Sequence, residues 1–233
     1  MRASVHVYVL IPPHYHHSPL PPFLPFVAVY KNEVTIDLKH YVSQDGTTWA
    51  DLPEVEAEEV AVCDKIALKQ TLFTGDGATV IRIDGSVVGE GDEAPPAPEE
   101  GEEAPGLTEV AELKRLKYVV SSITQECGVV PCGAFVESSE NKIIPNTAFN
   151  GISHPGKLEY YQHFALGPDT KGNDLGREPR GSWSLRYDNF KSLAVGRSNV
   201  WLGYSFYYDA NTKLFGGAYA GDGNKNADLI FML

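Results

Sequence analysis

The amino-acid sequence predicts an α+β fold that is mainly antiparallel β-sheet, with a C-terminal β-meander and a few packed helices. Three observations carry this reading. The last third breaks into four short stretches, "SWSLRY", "SLAVGR", "GYSFYY" and "LFGGAYA", that alternate or are rich in aromatics and are separated by turn residues. That is the pattern of strands joined by hairpins. One long segment, "LTEVAELKRLKYVVSSITQECG", repeats apolar residues at helical spacing. Strands and helices are segregated along the chain, unlike the regular alternation of a doubly wound sheet. Hydrophobic residues make up 42% and aromatics 11% of 233 residues, enough for a buried core.

The elements follow in order. Residues 1–26 include the proline-dense "IPPHYHHSPLPPFLPF", in which proline removes amide donors and restrains its neighbours; the segment is expected to be extended or disordered. Residues 27–233 are read as a single domain. Within it, "EVTIDL" alternates as a strand, and "YVSQDGTTWADLP" places Asp45-Gly46 at a hairpin. "PEVEAEEVAVCDKIAL" opens on proline and acids and reads as a short helix. "KQTLFTGDGATVIRI" offers a second hairpin across Gly75-Asp76-Gly77. Residues 89–106 form an acidic low-complexity loop without an aromatic, which cannot bury a core. The long helix that follows has Thr108 as its expected N-cap and Gly128 as its stop, with Val110, Leu113, Leu116, Val120 and Ile123 on its buried stripe. "GAFVESSENKIIPN" reads as two strands around a polar turn, and "SHPGKLEYYQHF" as a short helix capped by Ser153. In the meander Trp183, Leu185 and Tyr187 share one face, and Tyr204, Phe206 and Tyr208 share another; such ladders bury a core or an interface.

Charge and composition narrow the function. A net charge of −12 repels phosphate backbones and anionic membrane surfaces, so neither nucleic acid nor membrane is an expected partner. No apolar run reaches the ~18 residues that span a bilayer, and His6 and the prolines of "MRASVHVYVLIPP" break a signal-peptide pattern. Three cysteines, Cys63, Cys127 and Cys132, make neither a disulfide framework nor a zinc site by themselves and read as reduced thiols in an intracellular setting. His14, His16 and His17 lack carboxylate or thiolate partners for a built metal site.

Three glycine-rich stretches are candidate ligand loops. Gly75-x-Gly77, Gly89-x-Gly91 and Gly221-x-Gly223 all begin like a dinucleotide fingerprint, but none completes it in a βαβ unit, and no Walker lysine follows. "DGNKNAD" spaces Asp222, Asn224, Asn226 and Asp228 as the first half of an EF-hand loop does. Ala227 replaces the required glycine, however, and Leu233 stands at the bidentate glutamate position. The plainer reading is a type I′ or related turn. No G-x-S-x-G is present, and a motif-free pairing of Cys127 or Cys132 with His154 or His163 is weak ground for a thiol enzyme. No catalytic, cofactor-binding or metal residue is assigned, and no enzyme is expected.

At the C-terminal end the sequence meets a known pattern. Arg180 to Ser184 ("RGSWS"), Arg197-Ser198, Trp201, Gly203, Phe206-Tyr207 and the terminal "GDGNKNADLIFML" from Gly221 to Leu233 closely resemble the radial spoke head protein 9 family. Upstream, "YVSQDGTTWADLP", "ELKRLKYVVSSI" with "VVPCGAF", "TAFNGIS" and "YYQHF" are similar to its middle region, so the resemblance runs from about Val27 to Leu233.

The resemblance implies a structural, non-catalytic subunit of the radial spoke head in the axoneme of motile cilia or flagella, a cytoskeletal assembly of the cytoplasm. Such a subunit supports spoke assembly and relays mechanical contact between the central pair and the dynein arms. Implied neighbours are radial spoke head proteins 4 and 6, head proteins 1 and 10 nearby, and a second copy across the two-fold axis of the head; the assembled head contacts the central pair. Trp183, Trp201, Phe206, Tyr207, Leu229, Phe231 and Leu233 are the family-motif and interface candidates. Leu229, Phe231 and Leu233 are expected to be buried in the domain or against a partner. The acidic loop reads either as a charged bumper on the head surface or as a tolerated insertion. The alternative function is a stand-alone β-rich ligand- or calcium-binding module, or an enzyme without a recognisable motif.

Overall fold

The computed structural model describes residues 5–10, 26–31, 38–43, 47–75, 77–88, 107–140, 142–167, 173–226 and 228–229. In chain order the strands and helices are β1 (Val5–Leu10), β2 (Phe26–Lys31), β3 (Leu38–Ser43), β4 (Ala50–Asp51), α1 (Ala57–Ala67), β5 (Val80–Arg82), β6 (Glu109–Ala111) and α2 (Glu112–Cys127). Then come β7 (Val129–Pro131), β8 (Phe135–Glu137), β9 (Ile143–Pro145), β10 (Tyr161–His163), β11 (Trp183–Asp188), β12 (Leu193–Ser198), β13 (Tyr204–Asp209) and β14 (Phe215–Gly221). The α+β reading holds, with antiparallel pairing dominant.

The main sheet has eight strands in the order β11-β12-β13-β14-β1-β2-β3-β4. Its first four are the expected meander. β1 joins them by a parallel pairing with β14, and β2, β3 and β4 continue antiparallel. Residues Val5–Leu10, placed by the sequence reading outside the 27–233 domain, are therefore a strand within the sheet. The hairpin expected around Asp45-Gly46 is the β3–β4 pair, with Tyr41 opposite Asp51. Of "EVTIDL" only Leu38 lies among the described residues, as the first of β3; the acidic tract 89–106 and the histidines at 14, 16 and 17 lie outside them.

Helix α1 starts where Glu56 and Glu59 form a reciprocal capping box, and it carries Glu58 and Glu59 in the first turn and Lys65 in the last. These charges complement the helix dipole. Lys114 donates to the Glu59 carboxylate and holds its pKa below the ordinary value. Val62, Cys63 and Ile66 fall on one stripe and pack with Ile81 and Val110 in a small core.

Helix α2 buries Leu116, Val119, Val120, Ile123 and Cys127 against the inner face of the meander. Gly128 ends it, donating its N–H to Thr124 O at 2.9 Å. The start differs from expectation. Thr108 is not the N-cap, because residues 109–111 are drawn into β6 by pairing with β5; Val110 sits opposite Ile81 on a strand, not on a helix stripe. Ala111 occupies the cap position without a side-chain bond. The hairpin expected across Gly75-Asp76-Gly77 does not form among the described residues: β5 pairs with β6, and residues 71–75 and 77–79 are in no strand.

β8 and β9 form the predicted short hairpin, Phe135 opposite Pro145. "SHPGKLEYYQHF" is not a helix capped by Ser153. It makes a single 3-10 turn at Leu158–Tyr160 and then becomes β10, which pairs with β7. Burying Tyr161 in the core and pairing its backbone with Pro131 outweigh the local helical pattern.

Candidate functional site

The meander is the part of the chain richest in the residues singled out by sequence, and its register decides what each can do. Trp183 lies opposite Ser198, Leu185 opposite Gly196 and Tyr187 opposite Ala194; Gly196 and Ala194 lie opposite Phe206 and Tyr208. Residues directly opposite share a face. The two aromatic ladders therefore stand on one and the same face, the inner one. Their rings interlock: Phe206 is 5.7 Å from Trp183 and 5.0 Å from Tyr161, at tilted or edge-on angles. Such contacts add to area burial in fixing one packing. The small residues of β12 make room, and a Cβ at Gly196 would lie 2.1 Å from Phe206 Cε1.

Trp183, Trp201 and Phe206 are buried and build the core, offering no area to a partner. Among the described candidates Tyr207 is the aromatic that points outward, 44% exposed. Leu229 is half-buried; Phe231 and Leu233 lie outside the described residues.

Both buried indoles have carboxylate partners that sequence reading missed. Trp183 Nε1 donates to Glu178 Oε2 at 2.8 Å, and the other oxygen of Glu178 meets His163 Nε2. Trp201 Nε1 donates to Glu126 Oε2 at 2.9 Å. Lys225 ion-pairs with Glu126 Oε1 at 2.6 Å and lies 5.4 Å from the Trp201 ring centroid. A cation beside both a carboxylate and an indole face ties the C-terminal stretch to α2. No local pattern announces Glu126 or Glu178 as partners, since each pairing joins residues set together by packing.

That knot explains "GDGNKN". Asp222 Oδ1 accepts the Asn224 N–H at 3.0 Å, Gly223 takes the positive φ of 79°, and its N–H donates to Tyr219 Oη at 2.8 Å. Asn226 turns away to donate to Asn199 O, while its N–H donates to Val200 O. A type I′ turn needs two successive positive φ values; here there is one, so the turn is an Asx turn around Gly223. The stretch lines a cleft of about 510 Å³ with Gln70, Leu202 and Gly203. Among the described residues no group of three or more His, Cys, Asp or Glu side chains could hold a metal ion.

The loop at Gly75 is also engaged internally, and Gly89-x-Gly91 lies outside the described residues. Gly75 N–H donates to Glu112 Oε1 at 2.9 Å and Thr74 Oγ1 donates to Glu112 Oε2, so a buried carboxylate of the chain itself occupies the anion position. Arg115, buried beside it, donates to Thr71 O and Leu72 O and stacks 4.0 Å from the Phe73 ring centroid. Burial lowers its pKa to about 10.

The thiols do not resemble nucleophiles. Burial pushes Cys63 and Cys132 up to about 11 and Cys127 up to about 12. A nucleophilic cysteine needs the opposite shift.

An aromatic plate braced by carboxylates, with the amides of Gly75 and Gly223 engaged internally, has the character of a scaffold. Comparison with known proteins agrees. No family model matches the chain. The radial spoke head protein 9 homolog of Danio rerio is 35% identical over 220 residues, covering 84% of this chain and 74% of that protein. The chain belongs to the radial spoke head protein 9 family. The like-named protein of Xenopus tropicalis is 34% identical over 148 residues, 54% of this chain and 52% of that protein. That of Bos taurus is 33% identical over 146 residues, 54% and 53% respectively. The matched region thus spans about half the length of these two family members. No helix among the described residues is long and apolar enough to cross a membrane.

Proposed function

We propose that the chain is a structural subunit of the radial spoke head in the axoneme of motile cilia or flagella. In this role it supports assembly of the head and relays mechanical contact between the central pair and the dynein arms. It packs with radial spoke head proteins 4 and 6, lies near head proteins 1 and 10, and meets a second copy across the two-fold axis of the head. The observation that carries the reading is the 35% identity over 84% of the chain to a protein named for the spoke head. The fold is compatible with it. Load-transmitting subunits need a stiff body, and interlocked buried rings stiffen one.

A tagged copy in a ciliated cell tests the proposal. The expected result is signal along the axoneme that survives detergent extraction and co-purifies with spoke proteins, with altered beating after loss of the protein. Diffuse signal with normal beating would overturn it.

A further inference from the structure

The eight-stranded sheet has two ends of different character. At one, β4 contains only two residues, and a short edge strand is itself a guard against added strands. At the other, β11 has six residues, each in register with β12, without bulge or proline. Among the described residues no turn, loop or side-chain hydrogen bond ends on a β11 backbone group. A regular, open edge of this kind presents unpaired N–H and C=O groups to an extended segment.

The outer face beside that edge has a distinct chemistry. Ser184 lies opposite Arg197, Arg186 opposite Val195, and Val195 opposite Tyr207. Arg186 and Arg197 are thus diagonal neighbours, roughly 7–8 Å apart and somewhat less at Cβ. Both are exposed, and neither has an ion-pair partner among the described residues. The acids on the same face stand at the turn end and serve the turns: Asp188 Oδ1 accepts the Phe190 and Lys191 amides, and Asp209 Oδ1 accepts those of Asn211 and Thr212. In a chain of net charge −12, two adjacent unpaired arginines make a local positive spot.

We propose that the β11 edge receives an extended acidic segment of a partner protein as a ninth strand, with alternate carboxylates seated on Arg186 and Arg197. Two residues of a strand advance roughly 6.6–6.8 Å. Side chains opposite Ser184 and Arg186 therefore belong to residues two apart, and the recognised pattern is acid-x-acid. The intervening residue points to the inner face, beside half-buried Leu185, and is apolar. Backbone pairing supplies affinity, and the arginines supply sign and register. The inference does not depend on the spoke-head reading, because the purified full-length chain tests it.

The probe is a short synthetic peptide with glutamate at every second position between valines, alongside the same peptide with lysine for glutamate. Binding is read by fluorescence anisotropy, and the site by amide hydrogen exchange. The expected result is saturable, salt-weakened binding of the glutamate peptide alone, with new protection at Trp183–Asp188. Arg186→Glu combined with Arg197→Glu weakens it on the order of tenfold while leaving thermal unfolding in place. Equal binding of the lysine peptide to the unaltered protein, binding that leaves β11 amides unprotected, or no binding overturns the proposal. So does sedimentation showing that two copies already pair through this edge.

Discussion

The ring of Phe206 on β13 lies across Gly196 on β12, with Cε1 and Cζ 2.1 and 2.2 Å from where a Cβ at residue 196 would stand. No rotamer adjustment of a fully packed ring absorbs such an overlap. Gly196→Ala should destabilise the protein by about 1–3 kcal/mol. The check is a urea-denaturation double-mutant cycle with Phe206→Leu, which should recover part of the loss. Additive costs would show that the two side chains do not share the space.

Tyr207 and Tyr208 are chain neighbours on opposite faces, 44% and 1% exposed. Tyr208→Ala removes a buried ring and should cost about 3–5 kcal/mol. Tyr207→Ala should stay within about 0.5–1 kcal/mol of the parent in the same denaturation assay. If Tyr207 contributes to a partner surface, its variant should fold normally yet be retained less well by extracted axonemes.

Glu112 gathers the Gly75 amide and the Thr74 hydroxyl in a buried place beside Arg115. Glu112→Ala takes the acceptor away from the Gly75 amide and the Thr74 hydroxyl, removes a negative charge that favours the charged form of buried Arg115, and should cost about 3 kcal/mol. Glu112→Gln, which keeps an acceptor oxygen, should cost less. Hydrogen exchange at the Gly75 amide should rise in both, more in the alanine variant.

The thiols set an alkaline limit. The Cys127 pKa is raised from 9.0 to about 12, first of all by burial, with a Ser198 hydrogen bond working against it. A raised acid holds its proton more tightly folded than unfolded. The stabilisation is therefore complete below pH 9 and declines as pH rises from there toward 12. Arg115 works in the other direction above about pH 10, where its buried charge is released. Denaturant midpoints taken upward from pH 8 should fall beyond pH 9, and less steeply in Cys127→Ala. Thiol-reactive dye should label native Cys127 far more slowly than the unfolded chain; rapid labelling would contradict the buried, protonated state.

Much of this architecture is legible in local sequence. The meander strands are visible because alternation and turn residues are both short-range signals. The core stripe of α2 is visible at Leu116, Val120 and Ile123 for the same reason. The helix start is not, because Thr108 is a good cap locally and only the pairing of β6 with β5 takes residues 109–111 away from the helix. The carboxylates are the least legible. Glu126 is 75 residues from the indole it meets, and Glu112 is 37 from the amide it receives. A surface glutamate on a helix reads the same whether or not a distant donor arrives.

Residue order along continuous stretches is enough to reveal the class of fold, the strands of the meander and the family. Only the packing of distant segments puts both aromatic ladders on one face, makes Trp183, Trp201 and Phe206 core while Tyr207 looks outward, and ties "GDGNKN" to α2 through Lys225 and Glu126. The same packing leaves β11, among the described residues, an open edge beside two arginines without ion-pair partners. The physical reason is register. Periodicity states which residues of a strand lie together, but only the pairing of one strand with the next, set by burial of distant side chains, states which side of the sheet becomes the inside.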